Sequence, residues 1–311
     1  MTVAAILINA LGLGLVLVVL RDVFHQLFHP GGSGHLSDGL MQIVWRAFRT
    51  ISRDRQERLA LAGPTALIVV IVSWVTLMVV GWALIYWPHM PQNFLFSTGL
   101  NTALQGDFLD ALYLSFVTLV TLGYGDITPT ENLLRILAPL QALIGFGLLT
   151  ASITWVLSIY PALSRSRSLA QEISLLHDAE VAERMNITEM DAGSIESLFH
   201  DLSSQLVSVR NDLMQFSITY YFHSSDDRSG IATTLPYLAS LAEKANNSNI
   251  MEVRVSASML RGAVEKLAAT IAGNFLRLDP SSTEKNLQAF ARDHLRRPLS
   301  RDAIQTKAED D

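Results

Sequence analysis

Three long runs of apolar residues set the limits on what this chain can become. Val3–Leu20 and Pro64–Trp87 contain no charged side chain, and the stretch from Glu131 to Tyr160 contains one acid and one arginine. A helix needs about 20 apolar residues to cross the hydrocarbon of a bilayer. A helix also satisfies its own backbone there, which an open strand cannot do. All three runs are therefore expected to span a membrane. Val3–Leu20 has no basic start and no small-residue cleavage site before Arg21, so it reads as a retained helix and not a signal peptide. Pro64 suits a first helical turn, where its missing N–H costs nothing. Thr128-Pro129-Thr130-Glu131 reads as a capping box for the third span, with Pro129 at its first helical position.

The remaining charge lies elsewhere. Residues 162–311 hold 16 of the 23 Lys and Arg and 21 of the 29 Asp and Glu. The net charge of -6 offers no basic face for nucleic acid. With no cysteine in 311 residues, disulfides and thiolate metal sites are excluded. Arg21, Arg46, Arg49, Arg53, Arg55 and Arg58 crowd the loop between the first two spans, and Trp87 to Asp126 has no Lys or Arg. The bias of basic residues towards the cytoplasm predicts an outside N-terminus, with the C-terminal half in the cytoplasm. Trp82, Tyr86 and Trp87 would form an outer aromatic belt, with Trp155 and Tyr160 near the inner one.

Between the second and third spans, "DFLDALYLSFVTLV" (107–120) is apolar but too short to cross. Asp107 and Asp110 mark a helix N-terminus. The expected element is a re-entrant helix that enters from outside and stops near Thr121, its partly negative end favouring a cation. Helix cannot continue through "LGYGD". Gly123 and Gly125 permit φ > 0, and alternating left- and right-handed residues turn successive carbonyls to one side. Such a column of oxygens can replace the hydration shell of a cation. Irregular backbone at membrane depth needs either protein around it or a wet cavity to line.

"TLVTLGYGD", Thr118–Asp126, resembles the selectivity filter of potassium channels, and the order of outer helix, pore helix, filter and inner helix over 64–160 is similar too. The resemblance implies that Thr121 coordinates K⁺ through its carbonyl and hydroxyl. It further implies that Leu122, Gly123 and Tyr124 offer carbonyls and that Gly125 completes the mouth. Asp126 matches the acid behind the filter, and Tyr113 matches the aromatic donor that braces it. Gly145, 19 residues after Asp126, and Gly147 match a gating hinge; helix packing is the alternative. Leu122 stands where valine is usual, and Val120 where a second threonine is usual. One chain supplies one filter strand, so a homotetramer in the lipid bilayer is implied.

Elsewhere, Pro139 predicts a kink in the third span. Thr150, Ser152 and Thr154 either line a cavity or bond their own helix. His25, His29 and His35 read as a metal or proton site, or as residues capping a helix end. Residues 37–62 form a basic amphipathic helix expected on the inner leaflet; Asp54, Gln56 and Glu57 among its arginines argue against a voltage sensor. Helices are expected over 162–186, 193–222, 233–246, 250–277 and 283–296, with turns at 223–230 and 246–249. No GxGxxG follows a strand, which argues against a Rossmann regulator.

The expected fold is an all-α membrane protein with three transmembrane helices, a re-entrant pore helix and filter, and a cytoplasmic helical domain. Residues 1–20 are the first helix, 21–63 a basic cytoplasmic segment, 64–160 the pore module, 161–297 the helical domain and 298–311 a polar tail. The function expected is passive, non-enzymatic K⁺ conduction across the plasma membrane, without a cofactor. The helical domain is either a tetramerisation bundle or the receptor of a regulatory ligand. A weakly selective cation channel and a membrane sensor with a vestigial pore are the alternatives.

Overall fold

The computed structural model describes residues 2–28, 34–51, 56–97, 106–223, 230–296 and 299. His29, Arg53, Asp54, Arg55, nearly all of the turn at 223–230 and, apart from Leu299, the tail from 298 lie outside the described residues. The protein is an all-α membrane protein, with helices α1 (Val3–Phe28), α4 (Ala62–Tyr86) and α6 (Asn132–Glu183) long and apolar enough to span. Two compact units emerge. One combines the chain up to Gln42 with Ala66–Ser158; the other combines Ile43–Thr65 with the chain from Ile159 onward.

In the first unit, α1 continues to Phe28, past the charges at Arg21 and Asp22. It can do so because the Asp22 carboxylate is fully partnered. It accepts from Trp74 Nε1 (2.9 Å) on α4, from Leu36 N (3.1 Å) and from the Ser37 hydroxyl. Leu36 and Ser37 open α2 (His35–Ile51), so Asp22 caps that helix N-terminus from a neighbouring element. α1 and α4 also touch closely: a Cβ at Gly12 would sit 2.5 Å from the Gly81 carbonyl oxygen.

Three expectations for this unit are corrected. Pro129 is not helical; Ile127–Pro129 forms strand β2, antiparallel to β1 (Phe94–Phe96), and α6 starts at Asn132. Trp82, Tyr86 and Trp155 do not form lipid-facing belts, because all three are buried within the chain. Trp155 packs on Trp74 with ring centroids 5.4 Å apart. Finally, α6 is one helix from Asn132 to Glu183, unbroken at residue 160, the expected end of the third span. Thr150, Ser152 and Thr154 donate to the carbonyls of Phe146, Leu148 and Thr150, so their hydroxyls serve their own helix.

The second unit is a helical bundle. α7 (Ala192–Gln215) and α9 (Met251–Ile271) pack along each other, with α8 (Ile231–Ala245) and α10 (Thr283–Asp293) against α9. Asp191 caps α7 through Ser194 N (3.0 Å), and Phe199, Leu202, Leu206, Leu238, Leu260 and Leu267 fill the core. On α2, Trp45 lies against Tyr220, Tyr221 and His294, while Ile43 remains exposed. Asp293 gathers Trp45 Nε1 (3.0 Å), the Arg49 guanidinium (2.6 Å) and the Tyr220 hydroxyl (2.6 Å). Glu180, a buried acid, accepts from Ile187 N (2.9 Å) and the Tyr237 hydroxyl (2.8 Å).

Candidate ion pathway

The site begins with α5 (Phe108–Leu119), a 12-residue apolar helix. Asp107 caps it by accepting from Asp110 N (2.9 Å), and the Asp110 carboxylate reaches back to Gly106 N (2.7 Å). This reciprocal arrangement satisfies two N-terminal donors and fixes where the helix starts.

The other end closes equally definitely. Leu122 N donates to Val117 O (2.8 Å) and Thr121 N to Thr118 O (3.0 Å), with Thr121 left-handed at φ 59°. These paired bonds form a Schellman cap, in which glycine is the usual left-handed residue. Here a β-branched threonine holds that position, a strained choice that concentrates at functional sites. Left-handed backbone then recurs at Gly123 (φ 51°) and Gly125 (φ 78°), while Leu122 and Tyr124 between them are not left-handed. Thr121 to Gly125 are all exposed in the single chain, Tyr124 at 69%.

Beyond the filter segment, Asp126 is held from several sides. Tyr113 on α5 donates its phenol to Asp126 Oδ2 (2.7 Å), and Ile127 N donates to Oδ1 (3.2 Å). Ser97 N donates to the Asp126 carbonyl (2.8 Å), where the β1–β2 pairing begins. Tyr113 and Asp126, paired on sequence grounds, are thus adjacent.

A buried polar network, which the sequence reading missed, seats α5 between α4 and α6. Tyr86 donates to Gln141 Oε1 (2.7 Å); Gln141 Nε2 donates to Ser115 O (2.8 Å) and Ser115 Oγ (3.0 Å); Ser115 Oγ donates to Val79 O (2.8 Å). All three side chains are fully buried. The available signal was a lone glutamine and a lone serine inside otherwise apolar segments, since polar groups at membrane depth face protein or a cavity. One helical turn after Gln141, a Cβ on Gly145 would lie 1.9 Å from Leu119 O, so only glycine admits the end of α5 here; Gly147 has open space around it.

Among the described residues no group of three His, Asp or Glu could hold a metal ion. His25 lies in α1 and His35 at the start of α2.

Residues 66–160 match the family described as "Ion channel". The rice "Two pore potassium channel c" is 37% identical over 78 residues, and the Arabidopsis thaliana "Two-pore potassium channel 2" 35% identical over 80. Over residues 66–160 the chain is similar to ion channels, and the named plant relatives of that segment are potassium channels. The matched segment contains the filter residues, Tyr113, Asp126 and the buried network of Tyr86, Ser115 and Gln141. A protein of Bacillus subtilis named "Uncharacterized membrane protein YdjJ" is 29% identical over 200 residues, which is 64% of this chain. The chain spans 58% of the Bacillus protein and 16% of each plant channel, and the plant matches cover 24% of this chain. No solved structure matches the chain.

Proposed function

We propose that the chain is one subunit of a homotetrameric, potassium-selective channel that passes K⁺ passively down its gradient. The observation that carries this reading is the alternation of left-handed backbone at Thr121, Gly123 and Gly125, directly after a short apolar helix whose carbonyl end opens onto them. Alternation of this kind directs successive carbonyls to one side, and a ring of such strands replaces the water shell of a dehydrated cation. Four copies around an axis supply the ring, with K⁺ at Thr121, Leu122, Gly123 and Tyr124 and the mouth at Gly125. The exposure of these residues in the single chain supports a shared axis, because apolar Leu122 and aromatic Tyr124 are left for other copies to cover.

The Tyr113–Asp126 hydrogen bond is the brace that keeps the outer filter in register. Bending for gating belongs at Gly145 and Gly147, where Gly147 has room and Gly145 must first part from Leu119 O. The outer strands and filter mouth face the outside of the plasma membrane and the helical unit faces the cytoplasm, as the basic loop after α1 requires. A gating ladder of arginines is disfavoured because Arg49 is tied to Asp293 at 2.6 Å.

The test is flux from liposomes containing the purified full chain. K⁺ efflux with little Na⁺ efflux is expected. Equal fluxes would assign a weakly selective cation channel, the outcome that Leu122 and Val120 favour; no flux at any tested pH, voltage or ligand would overturn conduction. A subunit count other than four by native mass spectrometry would overturn the ring.

A further inference from the structure

We propose that His89 is a proton-binding site beside the filter mouth, whose charged form ties α1 and Glu131 to the strands that hold Asp126. The inference rests on the filter reading above and assigns its regulation.

His89 ends the 3₁₀ turn Trp87–His89 that follows α4. Its two ring nitrogens face different partners. Nε2 lies 3.3 Å from Asn9 Nδ2 on α1, and Nδ1 lies 3.7 Å from Glu131 Oε2 just before α6. The His89 and Glu131 side chains are 15% and 43% exposed, so protons reach the pair from water. Glu131 is in turn fastened to the strand pair. Asn93 Nδ2 donates to Glu131 Oε2 (2.5 Å), Asn93 N donates to His89 O (3.0 Å), and Thr130 N donates to Asn93 O (2.9 Å). These bonds close the far end of the β1–β2 ladder, whose near end at Ile127 directly follows Asp126.

The chemistry of the two forms differs. A neutral imidazole offers one donor and one acceptor, and the cation offers two donors. In the neutral ring Nε2 accepts from the Asn9 amide, which leaves Nδ1–H beyond hydrogen-bond reach of Glu131. A second proton puts N–H on both nitrogens. Asparagine is the residue type that can answer this change, because a half-turn of its amide exchanges donor for acceptor. Asn9 Oδ1 is buried and has no partner among the described residues, so the turn gives up no bond elsewhere. Glu131 then faces a full positive charge and draws α1, the 3₁₀ turn and the strand pair together.

Few other charges reach this place. α1 has no titratable side chain before Arg21, and there is none from Met90 to Gly106. α5 packs on the same turn through Phe108 and Trp87. Its acids Asp107 and Asp110 are engaged with Asp110 N and Gly106 N. Asp126 is engaged with Tyr113 and Ile127 N, and Tyr86 with Gln141. Arg135, one turn along α6 from Glu131, is exposed. An imidazole changes charge between about pH 5 and 8, which sets the window of the test.

Liposomes containing the purified full chain, with K⁺ flux followed at pH 8 and at pH 6, read the site. Flux should fade about two- to fivefold more slowly at pH 6, the scale of a partly exposed ion pair. His89→Gln and Glu131→Gln should each keep the faster pH 8 rate at both values. A wild type that fades equally at both, or a response that survives in His89→Gln, would overturn the proposal. Unfolding in SDS-titrated micelles separates the site from conduction: His89→Gln and Glu131→Gln should be non-additive at pH 6 and additive at pH 8. Additivity at both values would refute the proton site even in a chain that conducts. Absence of flux with that non-additivity intact would refute the filter reading and leave the proton site standing.

Discussion

Replacing Gln141 with leucine keeps the side-chain volume and removes all three hydrogen bonds that join α6 to α4 and α5. Hydrogen bonds inside membranes average about 0.6 kcal/mol and reach about 1.7, so three of them place the loss at about 2–5 kcal/mol. The cost is not evenly shared. Ser115 Oγ still donates to Val79 O at 2.8 Å, whereas the Tyr86 hydroxyl is left without an acceptor in a fully buried place. An orphaned buried donor costs about 1–3 kcal/mol, which is therefore the largest single part. Removing that donor as well should recover it: Tyr86→Phe/Gln141→Leu should be more stable than the sum of the single losses by about 1–2 kcal/mol. Unfolding in mixed micelles titrated with SDS, followed by tryptophan fluorescence, measures all four corners of the cycle. Channel flux after reconstitution should fall with Gln141→Leu, because the helix that presents the filter loses its seat. A Gln141→Leu loss below about 0.5 kcal/mol, or strict additivity with Tyr86→Phe, would show that the network does not hold the pore helix.

Other substitutions probe the remaining parts of the site. Gly123→Ala meets no neighbouring atom, so its damage is conformational: a left-handed L-residue costs about 1–2 kcal/mol. It should abolish K⁺ over Na⁺ selectivity in liposomes while assembly on native gels is unchanged. Tyr113→Phe removes the donor to Asp126 Oδ2 and should speed the loss of flux during sustained conduction without changing subunit number. The helical unit should also lose stability in acid. Burial holds His223 and His294 below their ordinary value, so the neutral rings stabilise the folded unit fully above about pH 6.5. That contribution is lost as pH falls from 6.5 towards the His223 value of about 3. Thermal unfolding across this window should show the decline, and His223→Gln should flatten it.

The spans and the filter are legible in the sequence because each depends on local chemistry. Length and the absence of charge define α1, α4 and α6, and paired acids mark the start of α5. Glycines at 123 and 125 announce left-handed backbone, although the left-handed Thr121 does not, since nothing in a threonine requires it. What escaped notice depends on partners distant in the chain. Pro129 looks like a helix start until Phe94 pairs with it across 35 positions. Trp82, Tyr86 and Trp155 look like interfacial anchors, because composition cannot tell a lipid-facing ring from one facing another helix. The first span looks finished at Leu20, because the donors on Trp74 and Ser37 that let Asp22 continue the helix come from elements that only folding brings together. The sequence around Trp45 likewise gives no hint that Tyr220, Tyr221 and His294 will pack against its ring.

The fastening of Asp126 has a mechanical meaning. Its carboxylate is tied to a helix and its carbonyl to an edge strand, so a tug on the filter exit is divided between two supports anchored in different parts of the same subunit. Redundant moorings fail by degrees. Cutting one should make the pore fatigue sooner under traffic and leave the doorway standing; only cutting both would let it cave in.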